Sequence, residues 1–473
     1  MNIVNNLLNE LNENEILYVL MNSITTKSFE SNPCVEILVS KNCIEETTKI
    51  LHKLGGYKLY VTKQQPMKWK LFDSDSGIIV TVILYFHWIE IVRFGKTFNG
   101  MDNEILKTRI WDMNVRAFVI NPVFLALLFT ILYSSERKNL VGNFFTNDMF
   151  SYIRNNSLFE DSCRDYLKRA KFDEAILDKI VNFCSMTILH QQPFLKKELK
   201  TLKKYITDFF FTPNNEKKAC DCKIRIYTLV KKAKNQTEMN KLAKFNCNCG
   251  KIVSFVGLDG AGKSTTANLI NIWLSKEFET QFYYMGEGNG HTPFIVNVLK
   301  RLTGRTGKST IVRGWLCSLC NSLIFLFVSI NNLKNMRKFV KQKKYGVICI
   351  TDRYPQKESP DMNNGPKIGK YVSEYPESLL FKFLQKAELR NISKVSDIIP
   401  DLIIRLNVTV PTSMKRHPEQ TNPGYFQYKL DALNRITFNN AEIVDINSEQ
   451  EYENEMIEVK KAIWKALTSN NFT

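Results

Sequence analysis

Hydrophobic positions change period along the chain, and the changes divide it into segments. Cys34 to Val39 and Ile78 to Phe86 are rich in Val and Ile and read as strands, while Ile44 to Leu54 carries apolar residues at helical spacing. Residues 1–105 therefore read as a small α/β unit. From Trp111 to Phe211 the strand patterns fade, and Glu174 to Leu189 and Lys196 to Phe211 have helical spacing, so 106–215 reads as a helical domain. Thr212-Pro213-Asn214-Asn215 is a loop signal. Residues 216–250, Lys-rich from Glu216 to Lys244, read as a basic, Cys-containing linker. Beyond it Lys251 to Val256 is a short apolar strand, Thr266 to Lys276 a helix and Val347 to Thr351 another buried strand, which makes 251–473 a second α/β domain. Two apolar runs, Phe118 to Tyr133 and Trp315 to Ile330, read as buried helices. The first is broken by Asn121-Pro122, and both fall short of the roughly 20 residues a membrane span needs. No internal repeat or low-complexity tract interrupts this order.

Length and charge narrow the picture. A chain of 473 residues that is 44% hydrophobic and 24% charged is globular and holds more than one domain. Its 65 Lys and Arg against 47 Asp and Glu leave +18, which suits an anionic partner. The excess is evenly spread, with 30 basic against 21 acidic residues in 251–473 and 35 against 26 before it. That spread gives no strong nucleic-acid signal, and it leaves two readings open: single phosphate-binding residues placed one by one, or a Lys-rich solvated surface. Met1 to Glu15 lacks the basic and apolar regions of a signal peptide, so a cytoplasmic protein is expected. In that compartment the 11 cysteines are expected to be mostly buried thiols.

The strand Lys251 to Val256 runs directly into Gly257-Leu258-Asp259-Gly260-Ala261-Gly262-Lys263-Ser264-Thr265, and a helix follows. This is a P-loop in its proper context. Glycines at 257, 260 and 262 let consecutive backbone N–H groups turn inward on phosphate oxygens, with the helix N-terminus behind them. Lys263 then reaches the β and γ phosphates, and the Ser264 hydroxyl is offered to Mg²⁺. About 90 residues on, Val347 to Thr351 ends in Asp352-Arg353-Tyr354-Pro355. A carboxylate and a guanidinium thus stand at the C-terminal edge of a parallel sheet, where α/β ligands bind, Asp352 for Mg²⁺ and Arg353 for a second phosphate group.

With these residues in place, 251–467 resembles thymidylate kinase and its relatives among the nucleoside monophosphate kinases. Gly257 to Thr265 has the thymidylate-kinase form of the loop, in which the acidic residue at 259 faces the sugar of the acceptor nucleotide. Asp352-Arg353-Tyr354 matches the family's DRY motif. Pro400 to Leu406 is similar to its fourth strand, preceded by a helix over Pro376 to Lys394. Lys415-Arg416-His417-Pro418-Glu419 falls where the family's mobile LID begins, and Ala441 to Asn447 is similar to its last strand, near the adenine site. The acceptor side departs from the pattern. Asn331 stands where the family places an arginine on the acceptor monophosphate, and Arg337, about 1.7 turns on, is expected to face elsewhere. Met285 to His291 lacks the usual Arg-Glu-Pro-Gly, and the LID from Pro411 to Tyr425 is short, with basic residues only at 415 and 416.

The resemblance implies a doubly wound parallel sheet of the nucleoside monophosphate kinase type. It implies ATP- and Mg²⁺-dependent phosphoryl transfer to a nucleoside monophosphate, dTMP-like or related. Lys263, Arg353 and Arg416 would surround the transferred group, Ser264 and Asp352 would manage Mg²⁺, and Asp259 would orient the acceptor. The loop residues Gly257, Asp259, Gly260, Ala261, Gly262, Lys263, Ser264 and Thr265 would hold the nucleotide. Trp315 to Ile330 reads either as an apolar face covered by the helical domain or, since members of that family generally pair through helices, as a homodimer contact. The competing reading is an ATP-binding switch or scaffold whose N-terminal half binds a partner.

The N-terminal unit has a fainter resemblance to nucleotidyltransferase-like domains, in which one strand carries Asp-x-Asp and a later strand a third carboxylate. Here the pair reads Cys34-Val35-Glu36, and Tyr85 takes the later position. One carboxylate of three survives, so a site without two-metal chemistry is expected; the alternative is an unrelated α/β domain. Cys220, Cys222, Cys247 and Cys249 form two Cys-x-Cys pairs that read either as a Zn²⁺ site or as reduced linker thiols. Cys317 and Cys320 are expected in core packing, and His291 either touches substrate or is solvated.

Overall fold

A computed structural model describes residues 2–21, 33–59, 67–86, 96–98, 105–113, 115–121, 211–213, 250–286, 294–304, 313–360, 362, 365–416 and 422–469. They fall into two compact units, one drawn mainly from residues 1–239 and the other built on 240–473.

The N-terminal unit is a mixed sheet with helices. Helix α1 (Asn2–Glu13) buries Val4, Leu7, Leu8 and Leu11, one face at helical spacing. The sequence reading assigned no element there, because alternating Asn and Glu dilute the stripe. Strands β1 (Tyr18–Leu20) and β2 (Cys34–Val39) pair antiparallel, α2 (Ile44–Lys53) follows, and β3 (Tyr57–Lys58), β4 (Met67–Asp73) and β5 (Ile78–Tyr85) complete one side of the sheet. The short strands β6 (Lys96–Phe98), β7 (Ile110–Asp112) and β8 (Ala117–Val119) come next, and the sheet order is β3-β4-β5-β2-β1-β8-β7. Strand β4 escaped the sequence reading because lysines break its apolar pattern; one of them, Lys70, is buried and donates to Thr81 Oγ1 at 2.6 Å.

Three expectations are corrected here. Strands β7 and β8 continue the sheet past residue 105, where a helical domain was expected, because their three-residue lengths are too short to set a period. Phe118 and Val119, expected to open a buried helix, belong to β8. The loop signal at Thr212-Pro213 lies in strand β9 (Phe211–Pro213), antiparallel to β6. Glu174 to Leu189 and Lys196 to Asp208 lie outside the described residues, as do Cys220, Cys222, Cys247, Cys249 and His291.

The C-terminal unit is a five-stranded parallel sheet ordered β11-β12-β10-β13-β14. Strand β10 (Ile252–Gly257) is buried at every position, as a parallel strand covered on both faces must be. It leads through the Gly-rich loop into α3 (Lys263–Ser275), which begins at the loop lysine, one turn earlier than the sequence pattern suggests. Strand β11 (Thr280–Tyr283), α4 (Phe294–Leu302) and the long α5 (Gly314–Lys343) precede β12 (Ile348–Thr351). Then come α6 (Gly369–Glu374), α7 (Leu379–Ser396), β13 (Leu402–Asn407), α8 (Val410–Arg416), α9 (Pro423–Arg435), β14 (Ile443–Asn447) and α10 (Tyr452–Thr468). This is the doubly wound α/β class.

The apolar run Trp315 to Ile330 is part of α5, a helix of 30 residues, which by length and composition alone meets the requirement for crossing a membrane. Length alone does not make it a span, since the core helix of a soluble protein passes the same test, and the run itself covers 16 of the 30 residues. Within this unit Ile324, Phe325 and Val328 pack with Val296, Tyr371, Phe381 and Leu384, while Trp315, Leu316 and Ile330 are exposed.

Polar anchors hold the sheet at both ends. Asp401, just before β13, accepts the backbone N–H of Ile252 at 2.8 Å and the Lys343 ammonium at 2.7 Å, tying the start of β10 to the end of α5. Cys349 in β12 is fully buried, and burial pushes its thiol up to about 12. Tyr354 anchors the other end of β12: its hydroxyl lies 2.6 Å from the Ile398 carbonyl, 3.0 Å from that of Val395 and 3.3 Å from that of Ser396, at the close of α7. Val395 and Ser396 already accept from the Ile398 N–H and the Asn439 amide, so Tyr354→Phe removes the donor to the Ile398 carbonyl and should destabilise the chain by about 1–3 kcal/mol. A urea midpoint unchanged from the native protein would show that the hydroxyl is dispensable.

Candidate functional site

The order β12-β10-β13 puts the first strand of the unit at the centre, with the chain leaving to opposite sides. A crevice therefore opens beyond the C-terminal ends of these strands. The loop after β10 lies in it. Gly257 is required there by close approach, since a Cβ would stand 2.6 Å from the Leu406 carbonyl oxygen of β13. Gly262, at φ 85°, is the left-handed residue that caps α3 and turns the first N–H groups of the helix toward the loop. Ala261 is buried beneath it, and Thr265 is exposed on the first helical turn.

Lys263 is buried, and its ammonium donates to the Leu258 carbonyl at 2.6 Å while standing 3.8 Å from the Asp259 carboxylate. The other Asp259 oxygen is taken by Lys429 of α9, at 2.7 Å. Burial alone would raise the Asp259 carboxyl, but Lys263, Lys429 and Arg353 outweigh it and hold it at about 2. Burial pulls Lys263 down to about 8, with Asp259 opposing and Arg353 reinforcing the shift. Burial acts on Lys429 in the same sense, yet its shorter bond to Asp259 reverses the outcome and raises it.

Asp352, fully buried at the end of β12, accepts the Ser264 hydroxyl at 2.9 Å and the Met285 N–H at 3.2 Å. A hydroxyl and a carboxylate, both hard oxygen donors and already in contact, are the donor set that Mg²⁺ prefers. Arg353 turns the other way, donating to the Tyr284 hydroxyl at 3.3 Å with its guanidinium 5.5 Å from that ring. Gly286 makes room for it, since a Cβ there would fall 2.2 Å from the guanidinium.

Lys263, Ser264, Asp259, Asp352 and Arg353 thus converge as the sequence suggests. Arg416, expected beside the transferred group, has its guanidinium on backbone carbonyls: that of Gly260 at 3.1 Å and that of Ser448 at 3.1 Å. Arg337 is exposed on α5, as expected, and it is Asn332 rather than Asn331 that turns inward, to the Met285 carbonyl at 3.1 Å. Cys317 and Cys320 are half-buried free thiols on α5. Three participants went unrecognised in the sequence: Lys429, Tyr284, and Ser413, whose hydroxyl donates to the Asp259 carbonyl. Only Lys429 had a local signal, its i,i+4 spacing from Tyr425, whose ring lies 4.3 Å from the ammonium.

In the N-terminal unit, the three positions singled out in the sequence lie close together. The Tyr85 hydroxyl donates to Glu36 at 3.3 Å, and β2 and β5 run parallel with Glu36 beside Ile83. Burial raises the Glu36 carboxyl, opposed by that hydrogen bond and by Lys68. Among the described residues, no group of three or more His, Cys, Asp or Glu is placed to hold a metal.

No family model matches the chain. It is 27% identical over 221 residues to the uncharacterized ATP-binding protein YghR of Escherichia coli (strain K12), covering 45% of this chain and 86% of that protein. It is 26% identical over 230 residues to the uncharacterized ATP-binding protein YghS of the same strain, covering 46% of this chain and 94% of that one. Among solved structures, thymidylate kinase from Candida albicans overlaps 47% of this chain at 18% identity and a TM-score of 0.30. Deoxyadenosine kinase from M. mycoides, solved with bound dCTP, overlaps 45% at 14% identity and a TM-score of 0.28. At scores this low the fold assignment stands on the strand order itself.

The position of Lys263 sets a pH dependence. Below about pH 8 the free protein already carries the ammonium that a phosphate needs; above it the amine is neutral, and binding an anion must draw a proton from solvent. Affinity for a polyphosphate anion bound at the loop should therefore fall as pH rises, approaching tenfold per unit above about 8. Calorimetry in buffers of different ionisation heat should show uptake nearing one proton per bound polyphosphate at pH 9, and none in Lys263→Met.

Proposed function

We propose that the C-terminal unit binds ATP with Mg²⁺ and transfers its γ-phosphoryl group to a nucleoside monophosphate or a related acceptor carrying an anionic group. The observation that carries this reading is the convergence at one sheet edge of the glycine loop, Lys263, the Ser264–Asp352 pair and Arg353. The names of the relatives YghR and YghS, both ATP-binding proteins, support the nucleotide half of it.

Phosphoryl transfer asks little covalent work of a protein; it asks for alignment and for cations where charge collects. The loop N–H groups and Lys263 would bind the β and γ phosphates, Lys263 exchanging the Leu258 carbonyl and Asp259 for phosphate oxygen. Mg²⁺ held by Ser264 and Asp352 would neutralise charge between those phosphates. Arg353, across the crevice on Tyr284, would hold the acceptor's anionic group in line. Asp259 stays ionised across the physiological range and so accepts hydrogen bonds, which suits a hydroxyl of the acceptor and not a proton-transfer role. Arg416, on the carbonyls of Gly260 and Ser448, would brace the loop from the side of β14.

The N-terminal unit we propose to be catalytically silent, whether or not its ancestry is nucleotidyltransferase-like. Two-metal nucleotidyl transfer needs clustered carboxylates, and Glu36 has a thiol and a phenol as neighbours at the other two positions.

A panel of nucleoside monophosphates should reveal at least one that stimulates ADP release from the wild-type chain. Lys263→Ala should abolish the stimulated rate while leaving a folded protein; comparable turnover would remove the site assignment. Arg353→Ala should lower kcat/KM for the acceptor by roughly tenfold to a hundredfold, about 1.5–3 kcal/mol, with ATP affinity little changed. Glu36→Gln should leave turnover within a factor of two of the native value, and a larger loss would give the N-terminal face a part in catalysis.

A further inference from the structure

Two lysines meet on one carboxylate in the phosphate loop. Lys263 stands 3.8 Å from one oxygen of Asp259, and Lys429 donates to the other at 2.7 Å. Both are buried. Desolvating one ammonium is costly, and a single close lysine already supplies what a counter-ion for a partly exposed carboxylate requires. The second is in excess. Counting the groups that act on one another here, Lys263, Lys429 and Arg353 outnumber Asp259 and Asp352, so the loop region carries a net positive charge. Such an excess suits an anionic ligand.

The neighbouring cations narrow the choice. Arg416, the arginine nearest the loop on the other side, has hydrogen bonds from both of its terminal nitrogens to backbone carbonyls and holds two segments together. Lys429 instead rests on a side chain that can release it. Its stem lies along Tyr425, one turn earlier on α9, with the ammonium 4.3 Å from the ring centre, a contact that survives a small swing of the tip.

We propose that Lys429 is a second catalytic lysine of the phosphate loop, leaving Asp259 to bind the terminal phosphoryl group of the bound nucleoside triphosphate. The assignment rests on the phosphoryl-transfer reading above. In the reaction the bond between the γ-phosphorus and its bridging oxygen breaks, a bond from the acceptor's oxygen to that phosphorus forms, and ADP departs with the bridging oxygen. No bond to Lys429 changes. Its ammonium stays on the equatorial oxygens throughout, where charge is spread in the transition state. Lys263 spans the β and γ phosphates, so the loop would handle the diphosphate with one lysine and the triphosphate with two.

That difference is measurable without knowing the acceptor. Calorimetry on the full chain would compare Mg²⁺-ADP with the Mg²⁺ complex of the non-hydrolysable β,γ-imido analogue of ATP. Lys429→Met should weaken the triphosphate analogue by about tenfold and ADP by less than twofold, Lys429→Arg should restore most of the loss, and Lys263→Met should weaken both ligands. Equal loss for the two ligands in Lys429→Met, or no loss for either, would reduce Lys429 to a counter-ion of Asp259 and overturn the proposal. Failure of the wild-type chain to bind either nucleotide would instead overturn the underlying functional reading. If Lys429→Met does not fold, the pair Asp259→Asn with Lys429→Met removes both charges together. Compared with Asp259→Asn alone, it must show the same selective loss of the triphosphate.

Discussion

The C-terminal unit depends on β10 being hydrogen-bonded on both sides at once. Its register with β12 places Ser254 beside Thr351, and its register with β13 places Gly257 beside Leu406. One pairing delivers Asp352 to the edge of the crevice within 2.9 Å of Ser264; the other brings the loop so close to β13 that residue 257 has no room for a side chain. A slip of either register by one residue would turn alternate side chains to the opposite face and separate the carboxylate from the hydroxyl. The crevice is thus a product of strand alignment, and the helices serve to hold the strands there.

Alignment is secured at both ends by buried polar groups used sparingly. Asp401 gathers the start of β10 and the tail of α5 on the far side, and Tyr354 bonds the Ile398 carbonyl just past α7 on the near side. Glu388, almost fully buried, takes the backbone N–H groups of Lys367 and Ile368 ahead of α6. In each case a side chain satisfies backbone groups that regular structure leaves open, which is why these charges and hydroxyls are tolerated inside.

Much of the site was legible in the sequence because its demands are local. Glycines at 257, 260 and 262 answer to backbone conformation and close approach, and Ser264 follows at a fixed spacing; Asp352 is found by following an apolar strand to its end. Lys429 and Tyr284 answer to no local rule, since each reaches its partner only after distant segments pack. The same division holds for the fold. The strands Cys34–Val39 and Ile78–Tyr85 declare themselves through β-branched residues, whereas β4 hides behind lysines whose stems and ammonium groups find partners across the sheet. Arg416 shows a further limit: its basic character is local, but the carbonyls of Gly260 and Ser448 that it bonds are brought to it only by the fold.

Cys349 sits three residues before Asp352, in the middle of the sheet, with its thiol held protonated by burial. Alkylating reagents attack thiolates they can reach, and this sulfur meets neither condition while β12 stays paired. Its reaction would then record the strand leaving the sheet, an event that also dismantles the Ser264–Asp352 contact. A thiol beneath the crevice thereby converts the rare opening of this sheet edge into a covalent mark, and occupancy of the crevice into protection from it.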